Sequence, residues 1–196
     1  YRDAPMWFHS MVTHGPTTYV FYEAYSRTDD LRYVLMRTID TEGNLSEFTE
    51  LVRISAKRWN SGGFRVAWNL HATSFAVVSF PEENRKEDLR VEVKRFDREG
   101  NPIGGASVQV DHKSRKVSLA DVDYALNGDV YVLASRVPDR DKNEKMKLFS
   151  PNREFFILHA DPNDEEFQEV DLGMKDKFVV GGIGVEADQV AGAIAV

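Results

Sequence analysis

The sequence predicts an all-β chain made of repeated antiparallel sheets. Three observations predict it. Runs rich in β-branched and aromatic residues recur along the 196 residues, alternating in polarity or continuously apolar. Gly, Asn and Asp clusters separate these runs and supply turn chemistry. No amphipathic helix of useful length lies between them. The best helical window, 46–54, is short, lacks a stop signal and fits a strand equally well.

The elements follow in order. Residues 19–25 are a Tyr, Val and Phe run, and 31–39 are nearly continuous Leu, Val, Met and Ile. The turn Glu42-Gly43-Asn44 stops the second run. Short apolar runs stand at 64–68 and 75–80, and 89–96 alternates valine with charge. The turn Glu99-Gly100-Asn101 follows, then 106–110 and 117–124. Asn127-Gly128 opens onto 130–137, and 154–159 has the same apolar character. Asp161-Pro162-Asn163-Asp164 leads to 167–172, and 178–180 and 190–196 complete the series.

The series repeats. Tyr33-Val-Leu-Met-Arg-Thr-Ile-Asp40-Thr-Glu-Gly-Asn44 aligns with Val91-Glu-Val-Lys-Arg-Phe-Asp97-Arg-Glu-Gly-Asn101. A looser copy runs from Glu154 to Asp161 and its turn. The Asp positions step from 40 to 97 to 161, by 57 and 64 residues. Four strands in a unit of about 40–50 residues or somewhat more is the pattern of propeller blades. One β-propeller segment over 1–196 is expected, with approximate blades at 7–61, 64–115, 117–175 and an incomplete 177–196. That count is about three and a half blades, a partial propeller, where closed rings typically hold 4–8. A two-sheet β-sandwich is the alternative, since strand content alone does not fix closure. The chain opens on Tyr1 and stops in the apolar run 192–196, which reads as a segment of something longer.

The Asp-x-x-Gly-Asn turn after an apolar strand, with Asp121 and then Asn127-Gly-Asp-Val-Tyr-Val-Leu133 opening the next unit, resembles the repeats of bacterial β-propellers. It is similar to cell-envelope propellers of the Bacteroidetes kind. The resemblance spans nearly the whole chain and implies fold and a periplasmic or cell-surface setting. The Trp-Asp dipeptide of WD40 blades, the sialidase box Ser-x-Asp-x-Gly-x-x-Trp and the Tyr-Trp-Thr-Asp motif are absent, so the subfamily stays open.

Composition excludes several chemistries. There are 25 Lys and Arg against 32 Asp and Glu, a net charge of −7. A dedicated nucleic-acid binder would need a basic face. With no cysteine, a disulfide scaffold, a thiolate zinc site and a cysteine nucleophile are all excluded. The same lack fits cytoplasm and periplasm alike. No window approaches 18 consecutive apolar residues, so no membrane span is expected.

Few residues point to chemistry. Asp40, Asp97 and Asp161 read as caps of the turns that follow them. Asp139, Asp141 and Asn143 place oxygens at alternate positions, as a calcium loop begins, but Glu144 stands where glycine is needed and Ser150 where a bidentate Glu would sit. The five histidines lack metal-ligand spacing, and His159 reads as a core-edge residue. Gly181-Gly-Ile-Gly184 has no following helix and reads as close strand packing. No nucleophile elbow or phosphate loop occurs, and no cofactor is expected. The aromatic-basic stretch 57–65 is the expected recognition loop, with Arg58, Trp59, Asn60 and Arg65 as its contact residues. Trp7 and Trp68 read as core or inter-blade packing. The expected function is a non-enzymatic scaffold or protein-binding module whose partner is a protein or further blades. A glycan-binding or glycoside-processing propeller is the alternative and would need paired carboxylates in a cleft.

Overall fold

A computed structural model describes residues 5–55, 60–61, 63–81, 90–110, 117–136, 154–163, 165–175, 186–187 and 194–195. The described elements are all strands. They are β1 (Met6–His14), β2 (Thr17–Ser26), β3 (Leu31–Ile39), β4 (Thr49–Ser55), β5 (Asn60–Ser61), β6 (Phe64–Trp68), β7 (Ser74–Ser79), β8 (Arg90–Asp97), β9 (Pro102–Gln109), β10 (Val117–Tyr124), β11 (Val130–Arg136), β12 (Glu154–Ala160), β13 (Gln168–Lys175), β14 (Glu186–Ala187) and β15 (Ile194–Ala195).

Twelve of them form three four-stranded antiparallel meanders: β1-β2-β3-β4, β6-β7-β8-β9 and β10-β11-β12-β13. The two-residue β5 adds to the third sheet, pairing parallel with β10. β14 and β15 form a small antiparallel pair. The window 46–54, ambiguous in sequence, contributes β4. The expected strand 178–180, the glycine run 181–184 and the loop 138–151 lie outside the described residues.

Alternation explains the layers. Along β2, Tyr19 and Phe21 face the second sheet, while Val20, Tyr22 and Ala24 face away. Phe64, Phe75, Val77 and Phe96 of the second sheet complete that first inter-sheet core. The other face of the second sheet, with Ala76, Val78, Val91 and Val93, packs on Val122, Val132, Phe156 and Leu158 of the third. The described sheets therefore stack in series across two cores, where a two-sheet sandwich would have one. Phe75 is fully enclosed and meets Phe21 at 5.4 Å, Trp68 at 4.8 Å and Phe96 at 5.3 Å between ring centroids. Burying one such side chain contributes roughly 1.5–3 kcal/mol.

Turns also lock the sheets together. Gly100 adopts φ +87° in the β8–β9 turn, and a Cβ there would lie 2.9 Å from Thr49 Cγ2 and 3.2 Å from Met36 Cε. The turn of the second sheet is thus seated on the first. Arg95 of β8 donates from Nη2 to the carbonyls of Ala160 and Asp161, at 3.2 and 2.9 Å, tying the second sheet to the third.

Candidate functional site

Charged side chains converge where the leading strands β1, β6 and β10 meet. Two β-bulges make this possible. In β1, Phe8 pairs with Tyr22 and Ser10 with Phe21, so His9 is the extra residue. In β10, Leu119 pairs with Ala134 and Asp121 with Leu133, so Ala120 is the extra one. A bulge re-aims its residue away from the ladder. Both bulges address the start of β6.

His9 stacks on Phe64 at 4.0 Å, and its Nε2 lies 3.1 Å from the Phe64 carbonyl oxygen. Arg65 Nη1 donates to that same oxygen at 2.9 Å, and Arg65 Nε donates to the Ala120 carbonyl at 3.0 Å. Burial lowers the Arg65 pKa, and the Asp121 carboxylate opposes that shift. Burial also lowers the His9 pKa. The Phe64 carbonyl acts against this, Arg65 adds to it, and Glu23 acts against it. Glu23 in turn holds Arg32 at 3.1 Å. The cluster fastens the first sheet to the second and the second to the third.

The expected recognition residues separate here. Arg58 and Trp59 lie outside the described residues. The Asn60 backbone is paired with Val117 in β10, three positions before the carbonyl that Arg65 holds. Arg65 and Asn60 are thus both drawn onto one strand of the third sheet. Asp139, Asp141 and Asn143 also lie outside the described residues. Among the described residues no group of three or more His, Asp or Glu could hold a metal ion.

The repeated aspartates are turn caps. Asp40 accepts from the Glu42 and Asn44 amides at 2.9 and 2.8 Å and from Asn44 Nδ2 at 2.9 Å. Asp97 accepts from the Asn101 amide and from Asn101 Nδ2, both at 2.8 Å. Asp161 accepts from the Asn163 amide at 2.7 Å. His159 sits at the core edge, as read from sequence, stacked on Tyr131 at 4.7 Å and 3.2 Å from Asp129.

Two surfaces remain. A groove of about 270 Å³ separates β4 from the second sheet and is lined by Glu50, Arg53, Pro81, Glu92 and Lys94 among others. Both of its carboxylates are ion-paired, Glu50 with Arg53 at 2.7 Å and Glu92 with Lys94 at 3.6 Å. The second surface is the outer face of the first sheet. Met6, Phe8 and Met11 stand opposite Ala24, Tyr22 and Val20, so all three share that face. Phe8 is 60% exposed and Met11 66%. Phe8 touches Tyr22 edge-on at 6.4 Å, Tyr22 meets Phe48 at 5.6 Å, and Arg37 lies over Phe48 at 4.6 Å. Trp7, expected to pack internally, is 52% exposed on β1, which among the described residues pairs with β2 alone. Trp68 does pack between the sheets. Sequence reading missed this face because the bulge at His9 shifts the apolar positions from 6 and 8 to 11, which hides the period.

No protein-family model and no curated protein sequence matches the chain. It is similar to solved structures of low identity. An acylaminoacyl peptidase of Pyrococcus horikoshii is 11% identical, with a TM-score of 0.49 over 90% of this chain and 26% of that one. A Synechocystis apocarotenoid oxygenase mutant is 11% identical, with a TM-score of 0.46 over 79% of this chain and 35% of that one. A puromycin hydrolase is 12% identical, with a TM-score of 0.39 over 84% and 31%. The chain spans about a quarter to a third of the length of these structures.

Proposed function

We propose that the chain is a β-propeller segment acting as a non-enzymatic scaffold or protein-binding module in a larger cell-envelope protein or assembly, at the periplasm or cell surface. One observation carries the reading: the outer face of the first sheet presents Met6, Phe8 and Met11 beside Tyr22 and Phe48. Contiguous exposed apolar groups of this kind mark interaction surfaces. The opposite face of the same sheet is covered by a second sheet through an aromatic core. The outer face is suited to the same kind of cover, a β-sheet from a partner or from further blades. The charged groups support the reading, since His9, Arg65, Asp40 and Asp97 are engaged in holding strands and turns.

Size-exclusion chromatography with light scattering tests the reading. The chain is expected to associate with rising concentration, and the double substitution Phe8→Glu, Met11→Glu is expected to abolish this without changing its circular dichroism. A wild-type chain that stays monomeric and binds no hydrophobic dye would sink the proposal.

A further inference from the structure

A slot opens between the first two sheets, and its walls carry charges of both signs. It is the groove of about 270 Å³ between β4 and the second sheet. Both of its ends are closed. At one end Ile54 bridges Pro81. At the other the β8–β9 turn is seated on β4, where a Cβ on Gly100 would lie 2.9 Å from Thr49 Cγ2 and 3.3 Å from Leu51 Cδ2. Between these two clasps the sheets part, and Glu50, Arg53, Glu92 and Lys94 line the opening.

The order of the charges follows from the strand directions. β4 runs from Thr49, beside the Gly100 turn, to Ile54, beside Pro81. β8 runs the opposite way: Glu92 pairs with Ser79, two residues before Pro81, and Lys94 comes later, toward Gly100. Glu50 and Lys94 therefore share the Gly100 end, and Arg53 and Glu92 share the Pro81 end. Each wall also pairs within itself, Arg53 Nε with Glu50 at 2.7 Å and Lys94 Nζ with Glu92 at 3.6 Å. Signs thus alternate around the slot, two carboxylates against two cations. All four groups reach solvent, with side chains 26–53% exposed.

We propose that this slot binds a small zwitterion, an α-amino acid with its ammonium and carboxylate both free. The four charges sum to zero, so a ligand of one sign meets as much repulsion as attraction. A zwitterion sets its carboxylate toward Lys94 and Arg53 and its ammonium toward Glu50 and Glu92, and every contact is then charge-assisted. Lys94 is the anchor. Its 3.6 Å separation from Glu92 exceeds hydrogen-bond length, so that pair is held by charge alone and the ammonium keeps its N–H groups for an incoming carboxylate. The volume falls just under the roughly 300–1,000 Å³ of pockets for larger ligands, which suits an amino acid. β4 is the opposite edge of the first sheet from β1 and its Met6, Phe8 and Met11, so failure of this site would leave the scaffold reading standing.

The test is a titration of the full chain with glycine at constant ionic strength, followed through the backbone amide NMR signals of β4 and β8. Saturable shifts on these two strands are expected. Acetate, methylammonium and glucose, titrated in parallel, should shift the same signals without saturating. Lys94→Gln should weaken glycine binding roughly tenfold, as for a lost charge-assisted bond. Glu50→Gln, on the facing wall, should weaken it several-fold. If Lys94→Gln disturbs the fold, Glu50→Gln carries the test. Shifts that do not saturate, that sodium chloride reproduces, or that both variants retain at full strength overturn the site. Binding of acetate, methylammonium or glucose as tight as that of glycine overturns the zwitterion assignment. Equal binding of glycine betaine, whose ammonium has no N–H, overturns the choice of an α-amino acid.

Discussion

His9 Nε2 and Arg65 Nη1 converge on one acceptor, the carbonyl oxygen of Phe64, at 3.1 and 2.9 Å. For both to donate, His9 Nε2 must carry a proton, as it does in the Nε2–H tautomer of the neutral ring and in the imidazolium. Burial and the neighbouring guanidinium favour the neutral ring, against the pull of the Phe64 carbonyl and Glu23. The sign of the pH effect follows. The folded pKa of His9 lies below its ordinary value of 6.5, so the unfolded chain binds more protons in that window. Stability is fully present above 6.5 and falls as the pH drops through it. His14, also lowered by burial, adds to the same slope. Melting temperatures from pH 7.5 to 5 should therefore decline, and His9→Gln should flatten the decline without removing it. An unchanged slope in that variant would refute the assignment.

Arg65 is a brace whose replacement by Met should lower stability. The substitution keeps much of the aliphatic stem and removes the donors to the Ala120 and Phe64 carbonyls. His9 still serves Phe64, but Ala120 loses this donor. A loss of about 2 kcal/mol is expected, since bonds from charged groups are worth roughly 1.5–3 kcal/mol and this group is only half-buried. Arg65→Lys should recover little of it, because a single ammonium cannot span two carbonyls. Urea unfolding of the three chains measures the difference.

Gly43 and Gly100 occupy matching turns with φ +84° and +87°, yet they should respond differently to alanine. At Gly43 a Cβ meets nothing within 4 Å, so Gly43→Ala should cost only the left-handed backbone term, about 1–2 kcal/mol. At Gly100 the Cβ would press into Thr49, Met36 and Leu51 of the first sheet. Overpacking adds roughly 1–3 kcal/mol to the same backbone term. Equal destabilisation of the two variants, measured by urea unfolding, would show that the turn is not seated on the neighbouring sheet.

These residues show what was legible in the sequence. The all-β class, the strand β3 and the capping role of Asp40 and Asp97 were readable because each depends on neighbours within a few positions. The Asn60 and Arg65 contacts were not readable, because β10 lies more than 50 residues away in sequence. The bulges at His9 and Ala120 were hidden for a related reason: a bulge is defined by the partner strand, and it scrambles the alternation used to find strands. The exposed Met6, Phe8 and Met11 face was lost in that scrambling. The slot charges of Glu50, Arg53, Glu92 and Lys94 come from two sheets and leave no pattern along the chain.

The caps make a prediction that separates two neighbouring groups. The Asp97 carboxyl is held below its ordinary 3.8 chiefly by the Asn101 side chain; burial opposes this, and the backbone amides of Asn101, Glu99 and Gly100 add to the lowering. Asp40 is held below 3.8 in the same way by Asn44. A depressed carboxyl pKa stabilises the fold above the unfolded value, and that contribution is lost as the pH falls through the folded one. The two turns should therefore weaken only in acid, below about pH 4. Asn101→Ala removes the side-chain donor and leaves the backbone amides in place. Carboxyl NMR should then show Asp97 rising part of the way toward 3.8 while Asp40 stays where it was. The melting-temperature deficit of Asn101→Ala should be largest near neutral pH and shrink in acid, where Asp97 is protonated in both chains. A deficit independent of pH would mean that Asn101 supports the turn by shape alone and that the carboxylate bond contributes nothing.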